Sequence, residues 1–381
     1  MRVAVVYDCL FPYTVGGAER WYRNLAGRLA EEGHQVTYLT LRQWPRSENG
    51  ELPGVAVIAV GPRMNLYAAR GRRRILPPLV FGVSLLWHLM GSRNRYDVVH
   101  IASFPYFSLL AAAVTRRPGG HRLVVDWFEL WTRAYWREYL GRWAGDIGWL
   151  VQRLCVRVGG HAFCFSRLHE RRLREEGLQG PIDVLRGLYA DDGEAQRSAD
   201  VEPVVVFAGR HIPEKRVPAV VPALARARAR APELRGAVYG DGPERHRVLE
   251  QIRQLGLAEA VEAPGFVDSA VISDALAHAL CMLLPSRREG YGLVVVEASA
   301  LGTPSVVVAG ADNAATELVE DGRNGVVTAS AEPDELAAAI LRVKDAGDSL
   351  RASTAQWFDE NRSMLSLEGS LAAVARVYKQ T

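Results

Sequence analysis

Short, continuous apolar runs alternate along this chain with longer stretches of helical period. Val3–Tyr7 reads as a buried strand, followed by the glycine-containing loop Thr14-Val15-Gly16-Gly17. A helix is expected from about Ala18 to Glu32, because Trp21, Leu25, Leu29 and Ala30 recur at helical spacing and Gly33 ends the pattern. Val36–Leu41, Val55–Val60, Val98–Ile101 and Leu123–Val125 follow as further strands, separated by helical stretches. The grammar then restarts. Val204–Ala208 is a strand, a helix is expected around Val217–Arg230, and Gly236–Tyr239, Ala260–Ala263, Met282–Leu284 and Pro304–Val308 are strands. Apolar strands that alternate with helices make parallel sheets covered on both faces, here in an α/β chain with two Rossmann-like halves. Such halves bind ligands outside the carboxyl ends of their strands.

A chain of 381 residues suits two domains rather than one core. The pattern assigns 1–190 to a first domain, the polar stretch 191–202 to a linker and 203–355 to a second domain. The tail 356–381 is expected to be helical and to cross back to the first domain. A hydrophobic fraction of 49% and a charged fraction of 23% are those of a soluble globular protein. The net charge of +3 gives no reason to expect nucleic acid as partner. Cys9, Cys155, Cys164 and Cys281 form no C-x-x-C pair, which argues against a zinc site or a disulfide framework and for a reducing compartment. The longest apolar stretch, Leu76–Met90, is shorter than the roughly 20 residues of a membrane span. The expected location is cytoplasmic, with peripheral contact at the inner membrane face as an open alternative.

Lys215 stands out because the only lysines are Lys215, Lys344 and Lys379. It closes Gly209-Arg210-His211-Ile212-Pro213-Glu214-Lys215, directly after a strand, so two cations share one strand end. An arginine fork and a lysine point charge suit phosphate oxygens. A later segment, Pro285-Ser286-Arg287-Arg288-Glu289-Gly290-Tyr291-Gly292-Leu293-Val294-Val295-Val296-Glu297-Ala298, also follows a buried strand. Its glycines allow close backbone approach to a ligand and lead into a helix whose first amides are free to meet anions. Glu289 and Glu297 are better suited to sugar and ribose hydroxyls than to phosphate.

The ordered set G-R-x4-K, Gly240-Asp241-Gly242-Pro243-Glu244, Gly265-Phe266-Val267 and P-S-x-x-E-G-Y-G-L-x3-E-A resembles the family 4 retaining glycosyltransferases of GT-B fold. Gly16-Gly17-Ala18-Glu19, Gly33-His34-Gln35-Val36, Gly302-Thr303-Pro304, Thr316–Val319 and Asp321–Gly325 agree in order, so the resemblance spans nearly the whole chain. It implies two Rossmann-like α/β/α domains facing across a cleft, the first for an acceptor and the second for a nucleoside-diphosphate sugar. It also implies that Arg210 and Lys215 hold the diphosphate, Glu297 the ribose, and Glu289 with Gly290, Tyr291, Gly292 and Leu293 the transferred sugar. Gly265, Phe266 and Val267 would then flank the base, with Gly16 and Gly17 close to the donor. The implied reaction retains anomeric configuration and needs no metal and no cofactor beyond the sugar nucleotide. The acceptor would be a small-molecule natural product, a lipid-linked saccharide or a glycan.

Where family members often carry a histidine, this chain has Asp126-Trp127-Phe128-Glu129. Two readings of Asp126 stand: a catalytic carboxylate that orients a sugar hydroxyl or the acceptor, or a cap on the following helix. His100 is either a second acceptor-side group or a satisfied structural histidine. The aromatic series Trp127, Phe128, Trp131, Tyr135, Trp136, Tyr139, Trp143 and Trp149 packs on a core or forms an acceptor wall that includes Trp127 and Trp131. The run Arg70-Gly71-Arg72-Arg73-Arg74 before Ile75–Met90 is a solvated turn or a dock for an anionic membrane. A dehydrogenase is disfavoured because Val15–Glu19 supplies no G-x-G-x-x-G. A binding protein with an impaired transferase site is the other alternative.

Overall fold

The computed structural model describes residues 1–14, 16–45, 47–66, 73–91, 95–116, 120–190 and 196–379. Val15, Arg70–Arg72 of the arginine run and 191–195 of the expected linker lie outside the described residues. Two compact units result, Met1–Leu185 with Leu371–Thr381, and Arg186–Ser370.

The first unit runs β1 (Arg2–Val6), α1 (Gly17–Glu31), β2 (Gln35–Leu41), β3 (Ala56–Gly61), α2 (Leu76–Gly91), β4 (Val98–Ala102) and α3 (Tyr106–Thr115). It continues through β5 (Arg122–Trp127), α4 (Arg133–Leu140), α5 (Arg142–Val156), β6 (His161–Cys164), α6 (Arg167–Glu175) and β7 (Ile182–Val184). Its strands form one parallel sheet in the order β3-β2-β1-β4-β5-β6-β7. Both faces of this sheet are covered. Val3, Ala4, Val5 and Val6 are therefore all inaccessible, and the strand reads as an unbroken apolar run rather than an alternating one.

The second unit repeats the design. It contains β8 (Glu202–Ala208), α7 (Val220–Arg228), β9 (Arg235–Tyr239), α8 (Arg245–Gln254), β10 (Val261–Gly265), α9 (Ser269–His278) and β11 (Ala279–Leu284). There follow β12 (Arg288–Glu289), α10 (Leu293–Ala300), β13 (Ser305–Val308), β14 (Asp312–Asn313), β15 (Gly325–Thr328), α11 (Pro333–Leu365) and α12 (Leu367–Lys379). The main sheet is parallel in the order β10-β9-β8-β11-β13-β15. β12 and β14 make a separate parallel pair.

The tail is not one continuous helix. α11 breaks at Gly347, whose φ is 54°, and again at Ser366, where the Leu367 amide donates to the Tyr189 carbonyl at 2.7 Å. The end of α12 belongs to the first unit, where Val374, Ala375 and Tyr378 are buried. Among the described residues, no helix is long and apolar enough to cross a membrane.

Candidate functional site

In the second sheet the chain runs outward from β8 through β9 to β10, then returns to β11 on the other side of β8. The loops after β8 and β11 therefore diverge and open a crevice at the strand carboxyl ends. Arg210 and Lys215 lie in the first loop, and Ser286 to Glu289 in the second. The Arg287 amide donates to the Glu214 carbonyl at 2.9 Å, which ties the loops together.

This stitch brings Lys215 to Glu289. Lys215 Nζ lies 2.5 Å from Glu289 Oε1, and Ser286 Oγ donates to the same oxygen at 2.7 Å. The side chains are 20% and 9% exposed, so the pair is only partly screened by water. Asn313 supports the Glu289 loop from β14, its amide nitrogen donating to the carbonyls of Ser286 at 3.1 Å and Val308 at 2.8 Å. Arg210 is exposed at the same strand end. Its backbone is fixed from below, because Gly240, with φ 117°, brings the β9 loop against it. A Cβ at Gly240 would stand 1.9 Å from the Gly209 carbonyl oxygen. The adjacent His211 is inaccessible, and burial pushes its pKa below the ordinary 6.5.

Gly292 starts α10 from a left-handed conformation, φ 108°. Here glycine is required twice over, since a Cβ would also lie 2.6 Å from Ala315 Cβ. α10 begins at Leu293, directly after this turn, and Glu297 is half-buried in its second turn. Tyr291 is otherwise engaged: its ring is buried, its hydroxyl donates to the Arg186 carbonyl, and burial raises its pKa. Gly265 ends β10 with φ 98°, leaving Phe266 74% exposed and Val267 half-buried beside it.

The first unit has its own reversal, between β1 and β4. Gly16 is the N-cap of α1, and Gly17 opens the helix with open space where a Cβ would stand. Asp126 does not cap the following helix. It lies within β5, and α4 is capped by Thr132, whose side chain accepts from the Tyr135 amide at 3.2 Å. Asp126 is inaccessible and both its oxygens are engaged, Oδ2 by Trp21 Nε1 and Oδ1 by His100 Nε2, each at 2.8 Å. A carboxylate only accepts, so His100 Nε2 donates to Asp126, and Nδ1 on the other side of the ring lies 2.9 Å from the Tyr378 hydroxyl. Trp127 is a core side chain, 1% exposed, whereas Trp131 is half-buried and donates to Glu129 at 2.9 Å. The aromatic series is thus divided: Tyr135 and Trp136 are buried while Trp143 is 80% exposed.

Residues 16–186 match the profile of the glycosyl transferase 4-like domain, and residues 191–356 that of glycosyl transferases group 1. A GDP-mannose-dependent alpha-(1-6)-phosphatidylinositol monomannoside mannosyltransferase of Mycolicibacterium smegmatis is 33% identical over 356 residues, 87% of this chain and 86% of that relative. The chain belongs to the family 4 glycosyltransferases of GT-B fold. Other curated relatives of this glycosyltransferase are matched only in part. Alpha-D-kanosaminyltransferase of Streptomyces kanamyceticus is 31% identical over 161 residues, so this chain spans 41% of its length. Sucrose-phosphate synthase from Thermosynechococcus elongatus shares the fold, with a TM-score of 0.81 at 18% identity over 100% of this chain and 98% of that one.

Several residues of this family 4 chain had no separate reading in the sequence. Ser286 and Asn313 hold Glu289 and its loop, and only the position of Ser286 inside the glycine-rich segment hinted at it. Asp8, just past β1, is inaccessible and paired with Arg73, whose guanidinium also lies 4.9 Å from the centre of the Phe104 ring. Nothing local in the sequence links these residues.

Proposed function

We propose that this chain transfers a sugar from a nucleoside-diphosphate sugar to an acceptor hydroxyl with retention of anomeric configuration. The observation that carries the reading is the Lys215–Glu289 pair at the strand reversal of the second sheet. It sets a cation for diphosphate oxygens beside a carboxylate able to accept from sugar hydroxyls. On this reading Arg210 and Lys215 hold the diphosphate and neutralise the charge that grows as its bond to the sugar carbon breaks. Glu289 and the amides from Gly290 to Leu293 position the sugar, Glu297 the ribose, and Gly265 to Val267 the base. The acceptor oxygen bonds to the same face of that carbon and its proton passes to the leaving phosphate oxygen. No metal is assigned a role, because the two cations meet the developing charge.

The acceptor is a small molecule, a lipid-linked saccharide or a glycan, and binds the first unit. The GDP-mannose dependence and phosphatidylinositol monomannoside acceptor named for the mycolicibacterial relative make guanosine donors and lipid acceptors the first to try. In this proposal Asp126 and His100 position the first unit through Trp21 and Tyr378 rather than contacting sugar. A thermal-shift screen across nucleoside diphosphates and their sugars identifies the donor, since a bound ligand stabilises by mass action. Product analysis by NMR in the presence of a chelator then tests the chemistry. A product of inverted configuration overturns the proposal.

A further inference from the structure

Helices α2 and α5 each expose a stripe of large apolar side chains. On α2 these are Leu76, Leu79, Val83, Trp87 and Met90, with Trp87 69% exposed; on α5 they are Trp143, Ile147, Leu150 and Leu154, with Trp143 80% exposed. Both stripes recur at three- and four-residue spacing, so each is one helix face. Neither is a core face turned the wrong way, because the opposite faces are already seated. Phe81, Leu85 and Leu89 of α2 are buried, and Gly82 lets α2 approach α3 so closely that a Cβ would stand 2.7 Å from Phe107 Cβ. On α5, Gly145 meets the backbone of α4 in the same way, a Cβ there lying 2.5 Å from the Trp136 carbonyl oxygen.

The two stripes share a layer. The connections β3 to β4, β4 to β5 and β5 to β6 all advance in one direction across the sheet. Right-handed crossovers then place α2, α3 and α5 on the same face. Arginine is in excess along the segment that carries α2 and α3. Residues 52–125 contain ten arginines and a single acid, Asp97, which is itself paired with Arg2 at 2.6 Å. The one acid of α5, Asp146, is held by Arg133 at 2.7 Å and Arg137 at 2.8 Å, which depress its pKa.

We propose that the outer face of this helical layer docks onto an anionic phospholipid surface, with Trp87 and Trp143 inserted among the headgroups. α2 is 16 residues long, about 24 Å, and follows an arginine-rich run, so it is built to lie in the interface and not to span it. Tryptophan suits that depth, with an apolar ring and a polar N–H. A second copy of the same face is a poor occupant, because it brings the same excess of arginines.

The test is flotation of the full chain with vesicles of equal phosphatidylglycerol and phosphatidylcholine, against vesicles of phosphatidylcholine alone. Binding to the anionic vesicles is expected, weakened in high salt as the arginines are screened. Trp87→Glu with Trp143→Glu should lower it by about tenfold or more, while nucleotide-induced thermal shifts, which report the second unit, stay unchanged. No binding to anionic vesicles overturns the proposal, as does equal binding by the double variant. Concentration-dependent self-association without vesicles, lost in that variant, overturns it in favour of a contact between copies.

Discussion

Replacing Lys215 by Met, Glu289 by Gln, and then both, separates what the pair does for stability from what it does for ligand binding. Lys215→Met leaves the Glu289 carboxylate, 9% exposed, with Ser286 as its remaining side-chain partner. Breaking a fully buried pair costs about 3–5 kcal/mol; with the lysine 20% exposed the cost here is roughly 1–3 kcal/mol. For a unit the size of Arg186–Ser370 that corresponds to a fall in Tm of roughly 2–12 °C. Glu289→Gln keeps an acceptor oxygen and removes the charge, so it costs less. The double variant should be more stable than the sum of the single effects predicts, by about 1 kcal/mol.

Binding separates the residues further. A charge-assisted contact is worth about 1.5–3 kcal/mol, so Lys215→Met should weaken nucleoside diphosphate binding by about 10- to 150-fold. Glu289→Gln should leave that affinity unchanged or higher, because the lysine no longer has to leave a carboxylate to meet phosphate. Its turnover should fall. Calorimetric titration with UDP and GDP, beside initial rates, gives both numbers. Wild-type diphosphate affinity in Lys215→Met refutes the phosphate assignment, and equal weakening in both single variants refutes the division of labour.

Asp126→Ala orphans the buried donors of Trp21 and His100, at about 1–3 kcal/mol each, and should lower Tm by roughly 4–24 °C without changing nucleotide binding. An unchanged Tm would show that the carboxylate does not anchor the first unit. The stability of the second unit should also fall in acid. Burial lowers the folded-state pKa of His211 below 6.5, so the unfolded chain takes up the proton first. The stabilisation is complete above pH 6.5 and is lost as the pH falls from there through the lowered value. Denaturant unfolding at pH 7.5 and 5.5 should show a smaller acid loss in His211→Gln than in the wild type, and equal losses would refute this source.

The sequence by itself determined most of the strands that are buried on both faces, though not β6, an inner strand of four residues. Val3–Val6 and Val204–Ala208 must then be continuously apolar, and that pattern is local. It also marked the glycines at 240, 265 and 292, because a positive φ at a loop end leaves little other choice of residue. Short edge or paired strands such as β7, β12 and β14 left no such mark, since a few backbone hydrogen bonds formed by tertiary packing define them. Lys215 and Glu289 were each legible as ligand groups, yet their contact was not. It joins residues 74 positions apart and depends on two loops diverging from adjacent strands. Asp126 shows the limit most plainly. An acid near a strand end looks the same in sequence whether it caps a helix, meets a ligand or anchors a core. Only the tertiary structure set it against Trp21 and His100, and set His100 against Tyr378, 278 positions along the chain, because burial of polar groups is satisfied in space and not in sequence.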